Sequence, residues 1–154
     1  MAHRYEARII WSRNGEKFSD NRYCRGHEWS FDGGVKVVAS SSPHVVPVPY
    51  SVVEAVDPEE ALVASASSCH MLWFLSLAAR RGFVVESYVD EAFGEMEKNP
   101  AGKLAFSRIT LRPGIQFSGE RSPSTGELES LHHAAHEECF IASSLKCPVV
   151  VEAG

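Results

Sequence analysis

The stretch DPEEALVASASSCHML, residues 57–72, opens a long predicted helix around which the rest of the chain can be arranged. Asp57 can cap this helix, Pro58 suits its first turn, and Glu60 stands three residues after the cap, as in a capping box. The run Arg80-Arg81-Gly82 offers positive charges for the negative helix end and then a natural stop. The pattern therefore predicts a helix over residues 58–81.

This helix is unusually apolar for a chain of ordinary composition. Residues 61–79 carry no formal charge, and such a run is long enough to span a membrane. However, the run also contains four serines and His70, which are costly in lipid. The content favours a helix buried in a protein core or in a dimer interface over a membrane span.

The segments on either side of the helix read mainly as strands. Before it, residues 5–11 alternate as a strand, 29–38 form a hairpin, and the proline-rich 43–50 is an extended connector. After it come strands at 83–96 and 104–117, the second broken near Pro113-Gly114, a helix over 127–144 and a strand at 148–152. This order predicts a single α+β domain over residues 1–154.

The overall composition excludes several classes of function. The 154 residues include 15 Lys and Arg and 20 Asp and Glu, a net charge of −5, with 44% hydrophobic and 23% charged residues. A mildly acidic chain with no basic cluster is not expected to bind nucleic acid or an anionic membrane. Because residues 1–6 form no apolar run, we expect a cytoplasmic protein.

Cys69 and Cys139 are the first candidates for chemistry. The four cysteines are too few for a disulfide scaffold, so in a reducing compartment they are inert core residues or functional thiols. Cys69 lies within the predicted buried helix, and Cys139 continues the apolar stripe of the second helix. Both positions suit a small buried residue, and both also suit a thiol pair that cycles through a disulfide.

A histidine-rich run, residues 132–139, is a candidate for a metal site. His132 and His136 share a helix face, and Cys139 follows three residues later. The run lacks the His-Glu-x-x-His order of a zinc protease helix. A solvated helix face is the favoured interpretation, and no bound metal is expected.

Several motifs make the family recognisable. The run Asp57-Pro58-Glu59-Glu60-Ala61-Leu62, followed by Cys69, resembles the signature of the OsmC/Ohr superfamily of osmotically inducible and organic-hydroperoxide-resistance proteins. The run Cys69-His70-Met71-Leu72 is similar to one OsmC-like branch, and Tyr23-Cys24-Arg25-Gly26-His27 resembles that branch's Tyr-x-Arg-x-His element. The resemblance implies an OsmC-like fold, in which antiparallel sheets surround a long buried helix and two chains intertwine as a homodimer.

The same resemblance implies a thiol peroxidase that reduces organic hydroperoxides. It places the peroxidatic cysteine on Cys69 and the catalytic glutamate on Glu59. The resolving cysteine falls on Cys139 or, through the dipeptide Cys147-Pro148, on Cys147; the position of the following leucine and terminal strand favours Cys139. The activating arginine is Arg25 by motif, and two alternatives remain open, Arg13 and Arg22.

The surface that contacts the substrate is expected to be apolar. Trp73, Phe74 and Phe140, together with His70, would suit a bulky organic peroxide better than hydrogen peroxide. No bound cofactor is implied, and an external dithiol or lipoyl reductant would restore the thiols. The alternative is a non-enzymatic domain of the same fold that binds a hydrophobic or thiol-reactive ligand.

Overall fold

The computed structural model describes residues 2–152 of the chain. The chain divides into two compact units, Met1–Ala61 and Leu62–Gly154. The elements in chain order are β1 (Arg8–Ile10), β2 (His27–Ser30), β3 (Lys36–Ala39), α1 (Pro58–Arg80), β4 (Val84–Asp90), β5 (Phe93–Lys98), β6 (Leu104–Leu111), β7 (Pro113–Ser118), α2 (Thr125–Glu138), α3 (Phe140–Ser144) and β8 (Val149–Val151).

The first unit contains a three-stranded antiparallel sheet in the order β1-β2-β3. The predicted hairpin is present as β2 and β3, which pair from His27 with Ala39 to Ser30 with Lys36. The first strand is shorter than the predicted 5–11, because the four-residue β2 offers β1 only three partners, from Arg8 with Ser30 to Ile10 with Glu28.

Helix α1 begins where the sequence predicts and ends one residue earlier. The amide of Glu60 donates to Asp57 Oδ1 at 2.8 Å, and the amide of Asp57 donates to Glu60 Oε1 at 2.9 Å, a complete capping box. At the other end Gly82 has a positive φ of 80°, which only glycine adopts without strain.

The second unit contains two small sheets, and the chain passes from one sheet to the other and back. Strand β4 pairs antiparallel with β7, and β6 pairs antiparallel with β5 and parallel with β8. The predicted single strand at 83–96 is therefore wrong: the chain leaves one sheet after Asp90 and enters the other at Phe93. The predicted break near Pro113-Gly114 comes one residue earlier, at Arg112.

The side chain of Asp90 links the two points at which the chain passes between the sheets, near Asp90 and near Arg112. The carboxylate of Asp90 accepts a hydrogen bond from the amide of Arg112 at 2.6 Å, and Arg112 Nε donates to the Glu91 carbonyl at 3.1 Å. These bonds satisfy backbone groups that leave the sheet ladders at the crossing. The α+β fold class is confirmed.

The second predicted helix is divided in two. Ser124 and Glu127 form a capping box, so α2 begins two residues before the predicted position. Cys139 then interrupts the helix with an extended conformation, φ −68° and ψ 112°, and caps both α2 and the short α3. The predicted continuous helix over 127–144 is wrong at this residue.

Helix α1 buries one narrow stripe, with residues at intervals of four: Ala66, His70, Phe74 and Ala78. Near its end, Phe74 and Ala78 pack with Phe83, Leu131 and Ala135 in one core cluster. Near its start, Ala66 packs in a second cluster with three strand residues, Ile109, Leu111 and Val149. Length and composition alone would let α1 cross a membrane, but this packing is that of a core helix.

Candidate functional site

The thiols of Cys69 and Cys139 meet in the second unit. Cys69 is half-buried on α1, and Cys139 is buried at the junction of α2 and α3. Burial raises the pKa of the Cys139 thiol, and hydrogen bonding with Cys69 raises it further, while the amide of Ala142 opposes the shift. Cys139 is therefore a protonated thiol at neutral pH, beside a second thiol.

The interruption of the helix explains how Cys139 is presented. The spacing of Leu131, Ala135 and Cys139 keeps all three on the buried side of α2. Because the backbone turns extended at Cys139, its sulfur can accept a hydrogen bond from the amide of Ala142 at 3.4 Å. The hydroxyl of Ser143 donates to the Cys139 carbonyl at 2.7 Å and fixes the same turn.

All four cysteines are free thiols, and the other two have separate surroundings. The sulfur of Cys24, in the first unit, accepts a hydrogen bond from the amide of Gly26 at 3.3 Å. Cys147 packs against the core cluster around Ala66. Of the two sequence alternatives for a partner of Cys69, Cys139 is the one close enough for the Cys69 thiol to raise its pKa.

Two of the four predicted substrate-binding residues lie at the surface side of the thiol pair, and two lie in the interior. Trp73 and Phe140 pack edge to face with ring centroids 5.5 Å apart, and Phe140 is 67% exposed. Phe74 is fully buried and His70 is 1% exposed. Phe74 and His70 therefore have packing partners inside the fold, and their contact with a substrate stays a prediction.

His70 has a specific partner on the neighbouring helix. Its Nε2 lies 3.0 Å from Nδ1 of His132, and the two rings are nearly parallel, with centroids 5.3 Å apart. Burial lowers the pKa of His70 to about 4, with smaller contributions from His132 and His136. Burial also lowers the pKa of His132, against the opposing effect of Asp90. Both imidazoles are neutral at pH 7.

Polar groups on β4 lie beside this pair. Asp90 accepts a hydrogen bond from the hydroxyl of Ser67 on α1, in addition to that from Arg112. The hydroxyl of Tyr88 is buried and has no hydrogen-bond partner among residues 2–152. Burial, and secondarily the charge of Asp90, raise the pKa of Tyr88, so it keeps its proton.

The histidine-rich run does not assemble a metal site. Within the described part of the chain, no group of three His, Cys, Asp or Glu residues is placed to hold a metal ion. His132 instead uses its Nδ1 toward His70. The metal-binding alternative weighed from the sequence has no support in this geometry.

Arg25 and Glu59 belong to the first unit, and their surroundings can be described there. The guanidinium of Arg25 donates to the carbonyls of Asn21 and Tyr23 and to Asn21 Oδ1, and it lies 3.7 Å from the Tyr23 ring centroid. Of the alternatives, Arg13 donates to the Glu16 carbonyl at 3.0 Å. The activating role of any arginine stays a prediction.

The carboxylate of Glu59 is incompletely satisfied. Its Oε2 is buried without a hydrogen-bond partner among the residues that the structure describes. A buried oxygen of this kind is costly unless another group reaches it. The catalytic role of Glu59 likewise stays a prediction.

The pairing of His70 with His132 and the hydrogen bonds of Asp90 are not predicted by the sequence patterns. A signal was available, because His70 falls on the apolar stripe of α1 and a polar group there needs a partner. His132 was considered only with neighbours on its own helix. No pattern within one element points across to another.

Comparisons with known proteins place the chain among similar sequences and structures. A sequence model described as OsmC-like protein matches residues 53–154. No curated protein sequence matches the chain significantly. The structure of an OsmC-like protein of unknown function from Vibrio cholerae is similar, with 52% identity, 99% of this chain and 100% of that chain covered, and a TM-score of 0.97.

Two more distant structures share the fold. An organic hydroperoxide resistance protein OsmC from Legionella pneumophila has 16% identity and a TM-score of 0.70, over 99% of this chain and 96% of that one. The organic hydroperoxide resistance protein OhrB of Bacillus subtilis has 14% identity and a TM-score of 0.68, over 99% and 98%. At such identities the likeness concerns the fold.

Proposed function

The chain belongs to the OsmC-like protein family, and from that membership we propose that it is a thiol peroxidase that reduces organic hydroperoxides to alcohols. The observation that carries the proposal is the contact between the thiols of Cys69 and Cys139. The names of the two more distant structures, both organic hydroperoxide resistance proteins, agree with it.

In the first step the thiolate of Cys69 attacks the terminal oxygen of the hydroperoxide. The O–O bond breaks, the hydroxyl stays on the sulfur as a sulfenic acid, and the remaining alkoxide takes up from solvent the proton that the Cys69 thiol released on ionising, and so leaves as an alcohol. The sulfur is oxidised by two electrons, and the peroxide is reduced by the same two.

In the second step the sulfur of Cys139 attacks the sulfenic sulfur of Cys69. A disulfide forms and the oxygen leaves as water, taking the proton of the Cys139 thiol. The charge on a Cys69 thiolate holds the proton on Cys139 before the reaction. Once Cys69 is a neutral sulfenic acid that influence is gone, and the amide of Ala142 remains to stabilise a Cys139 thiolate.

An external dithiol, a lipoyl group among them, supplies the two electrons and two protons that restore both thiols. The exposed ring of Phe140 beside Trp73 gives the substrate an apolar surface directly after Cys139. This surface supports an organic hydroperoxide over hydrogen peroxide. Free thiols suit the reducing conditions of the cytoplasm, where we place the protein.

We also propose that the active assembly is a homodimer. Glu59 and Cys69 are ten residues apart on one continuous helix, roughly 15 Å along its axis. An arginine that activates Cys69 would be held most easily by Glu59 of a second subunit. The Oε2 of Glu59 is buried and has no hydrogen-bond partner among residues 2–152, which supports a partner of this kind from a second subunit.

The proposal is tested by hydroperoxide consumption with a dithiol reductant. Purified protein is mixed with cumene hydroperoxide and either dithiothreitol or dihydrolipoamide, and the remaining peroxide is measured over time. We expect turnover in the natural chain and in Cys24→Ser, whose sulfur accepts a hydrogen bond from the amide of Gly26, and none in Cys69→Ser. Turnover retained in Cys69→Ser would refute the assignment.

The same experiment separates the enzyme from the non-enzymatic alternative. A binding domain would consume at most one peroxide per chain and would not turn over with any dithiol. Intact-mass measurement of the peroxide-treated protein distinguishes a disulfide from an unreacted pair of thiols. Absence of both turnover and disulfide would favour the binding domain.

A further inference from the structure

We propose that His70 and His132 are a positioning pair for disulfide closure: their hydrogen bond holds α2 against α1 so that Cys139 stays within reach of Cys69. This inference rests on the proposed function, because it gives those two thiols a shared disulfide. It goes beyond that function by assigning a role to two side chains, buried His70 and half-buried His132, that take no part in either chemical step.

The placement of the four residues carries the argument. His70 follows Cys69 directly on α1, and His132 stands on α2 seven residues before Cys139, about 10 Å along the helix axis. The Nε2 to Nδ1 distance of 3.0 Å is that of a hydrogen bond. The hydrogen bond between the imidazoles therefore joins the same two helices that carry the neighbouring thiols.

A hydrogen bond fixes this contact more sharply than apolar packing would. The pair also packs against an apolar ring, that of Phe74, whose centroid lies 4.6 Å from that of His132. Small slides of α2 over α1 change apolar contacts gradually, whereas the hydrogen bond is lost within a fraction of an ångström. Separation of the pair would leave a buried imidazole nitrogen unsatisfied.

The protonation state of the pair suits this role. Two facing nitrogens form a hydrogen bond when one carries a hydrogen and the other a lone pair, which two neutral imidazoles provide. Burial lowers the pKa of both rings, His136 on α2 acts in the same direction on His70, and Asp90 on β4 opposes it at His132. At pH 7 the tautomer of one ring therefore determines that of the other.

The first test separates the two chemical steps. Stopped-flow mixing with cumene hydroperoxide gives the rate at which Cys69 is oxidised, from dimedone trapping of the sulfenic acid in samples quenched over time. Quenching with an alkylating agent and intact-mass analysis gives the rate of disulfide formation. The variants are His132→Ala, His132→Asn and the control His133→Ala, whose imidazole is exposed on the same helix.

The amide of asparagine can occupy the place of Nδ1 and act as donor or acceptor. We expect His132→Ala to slow disulfide formation by about tenfold, the loss of one good hydrogen bond, and to leave sulfenic acid formation within about twofold. His132→Asn should recover most of the loss, and His133→Ala should match the natural chain. Equal slowing of both steps, or no recovery by asparagine, would overturn the positioning role.

The second test does not require the peroxidase to work. Equilibration with reduced and oxidised glutathione at pH 7 gives the effective concentration of the two thiols for each other, and imidazole ¹⁵N NMR gives the tautomers of His70 and His132. A positioning pair predicts a tenfold lower effective concentration in His132→Ala and, in the natural chain, complementary tautomers in which only one of the two facing nitrogens carries a hydrogen. If the peroxide reaction fails but these results hold, only the proposed function is lost; an unchanged effective concentration ends the inference.

Discussion

The ring of Phe140 packs edge to face against Trp73, with centroids 5.5 Å apart and planes at 79°. Because α3 begins at Phe140, directly after Cys139, this contact joins the start of α3 to α1 beside the thiols. Phe140 is 67% exposed. The two rings therefore form an apolar surface that is open to solvent at Phe140.

Phe140→Ala should weaken selection for bulky peroxides. Removal of the exposed ring takes away apolar contact surface from cumene hydroperoxide but leaves the smaller hydrogen peroxide unaffected. We expect kcat/KM for cumene hydroperoxide to fall about tenfold, equivalent to about 1.4 kcal/mol, with little change for hydrogen peroxide. Leu104→Ala, which removes an exposed side chain on β6, is the control. An equal loss with both peroxides would indicate a role in folding and not in substrate choice.

One equivalent of organic hydroperoxide should link Cys69 to Cys139 and leave Cys24 and Cys147 reduced. The thiols of Cys69 and Cys139 are near enough for Cys69 to raise the pKa of Cys139, whereas Cys147 packs in the core cluster around Ala66. Non-reducing peptide mapping by mass spectrometry identifies the linked pair. A Cys69 to Cys147 link would show that the Cys-Pro dipeptide marks the resolving thiol.

Two inactive variants should complement each other if Glu59 acts across a dimer. Cys69→Ser removes the reacting sulfur and Glu59→Ala removes the carboxylate that would hold the arginine. A heterodimer of the two has one intact site, so after random exchange we expect about a quarter of the natural activity. Native mass spectrometry verifies the exchange. No recovery after verified exchange would place each site within a single chain.

Stability should fall as the pH drops from 6.5 toward 4, in part because of His70. The pKa of His70 is lowered from 6.5 to about 4, so the unfolded chain binds a proton in this window that the folded chain rejects. The free energy of unfolding should decrease by up to about 3 kcal/mol across the window. Urea denaturation of His70→Gln should show a shallower decrease, while His133→Gln should follow the natural chain. Identical slopes for His70→Gln and the natural chain would contradict this prediction.

Gly94→Ala should destabilise the second unit. A methyl group on Gly94 would lie 2.5 Å from Phe106 Cε1 and 2.9 Å from Val63 Cγ2, closer than real contacts allow. We expect a loss of about 1–3 kcal/mol in urea denaturation, typical of overpacking. Gly126→Ala, where nothing lies within 4 Å in the first turn of α2, should be neutral or stabilising. A neutral Gly94→Ala would mean that Phe106 and Val63 yield easily.

Local signals predicted the helix best. The capping box at Asp57 and the glycine after Arg81 act within a few residues of themselves, so the start and end of α1 follow directly from the sequence. The hairpin of β2 and β3 was predicted for the same reason. Turn and cap signals depend only on residues that are close together in the sequence.

Long-range contacts account for the errors. The segment 83–96 reads as one strand, and the change of sheet after Asp90 depends on Arg112, which comes 22 residues later. No glycine or proline near Cys139 indicates the helix break at this residue. The partnership of His70 with His132 joins residues 62 apart, which no periodic pattern reveals.

The four-residue spacing of the buried stripe on α1 has a geometric consequence. Each step of four residues advances about 40° beyond a full turn, so from Ala66 to Ala78 the buried direction rotates by about 120°. The helix thus faces the cluster with Ile109 at one end and the cluster with Leu131 at the other. Rotation of the helix about its own axis would therefore disturb both clusters. Cys69 and His70 lie midway along this part of the helix, where the packing at both ends most restricts its rotation.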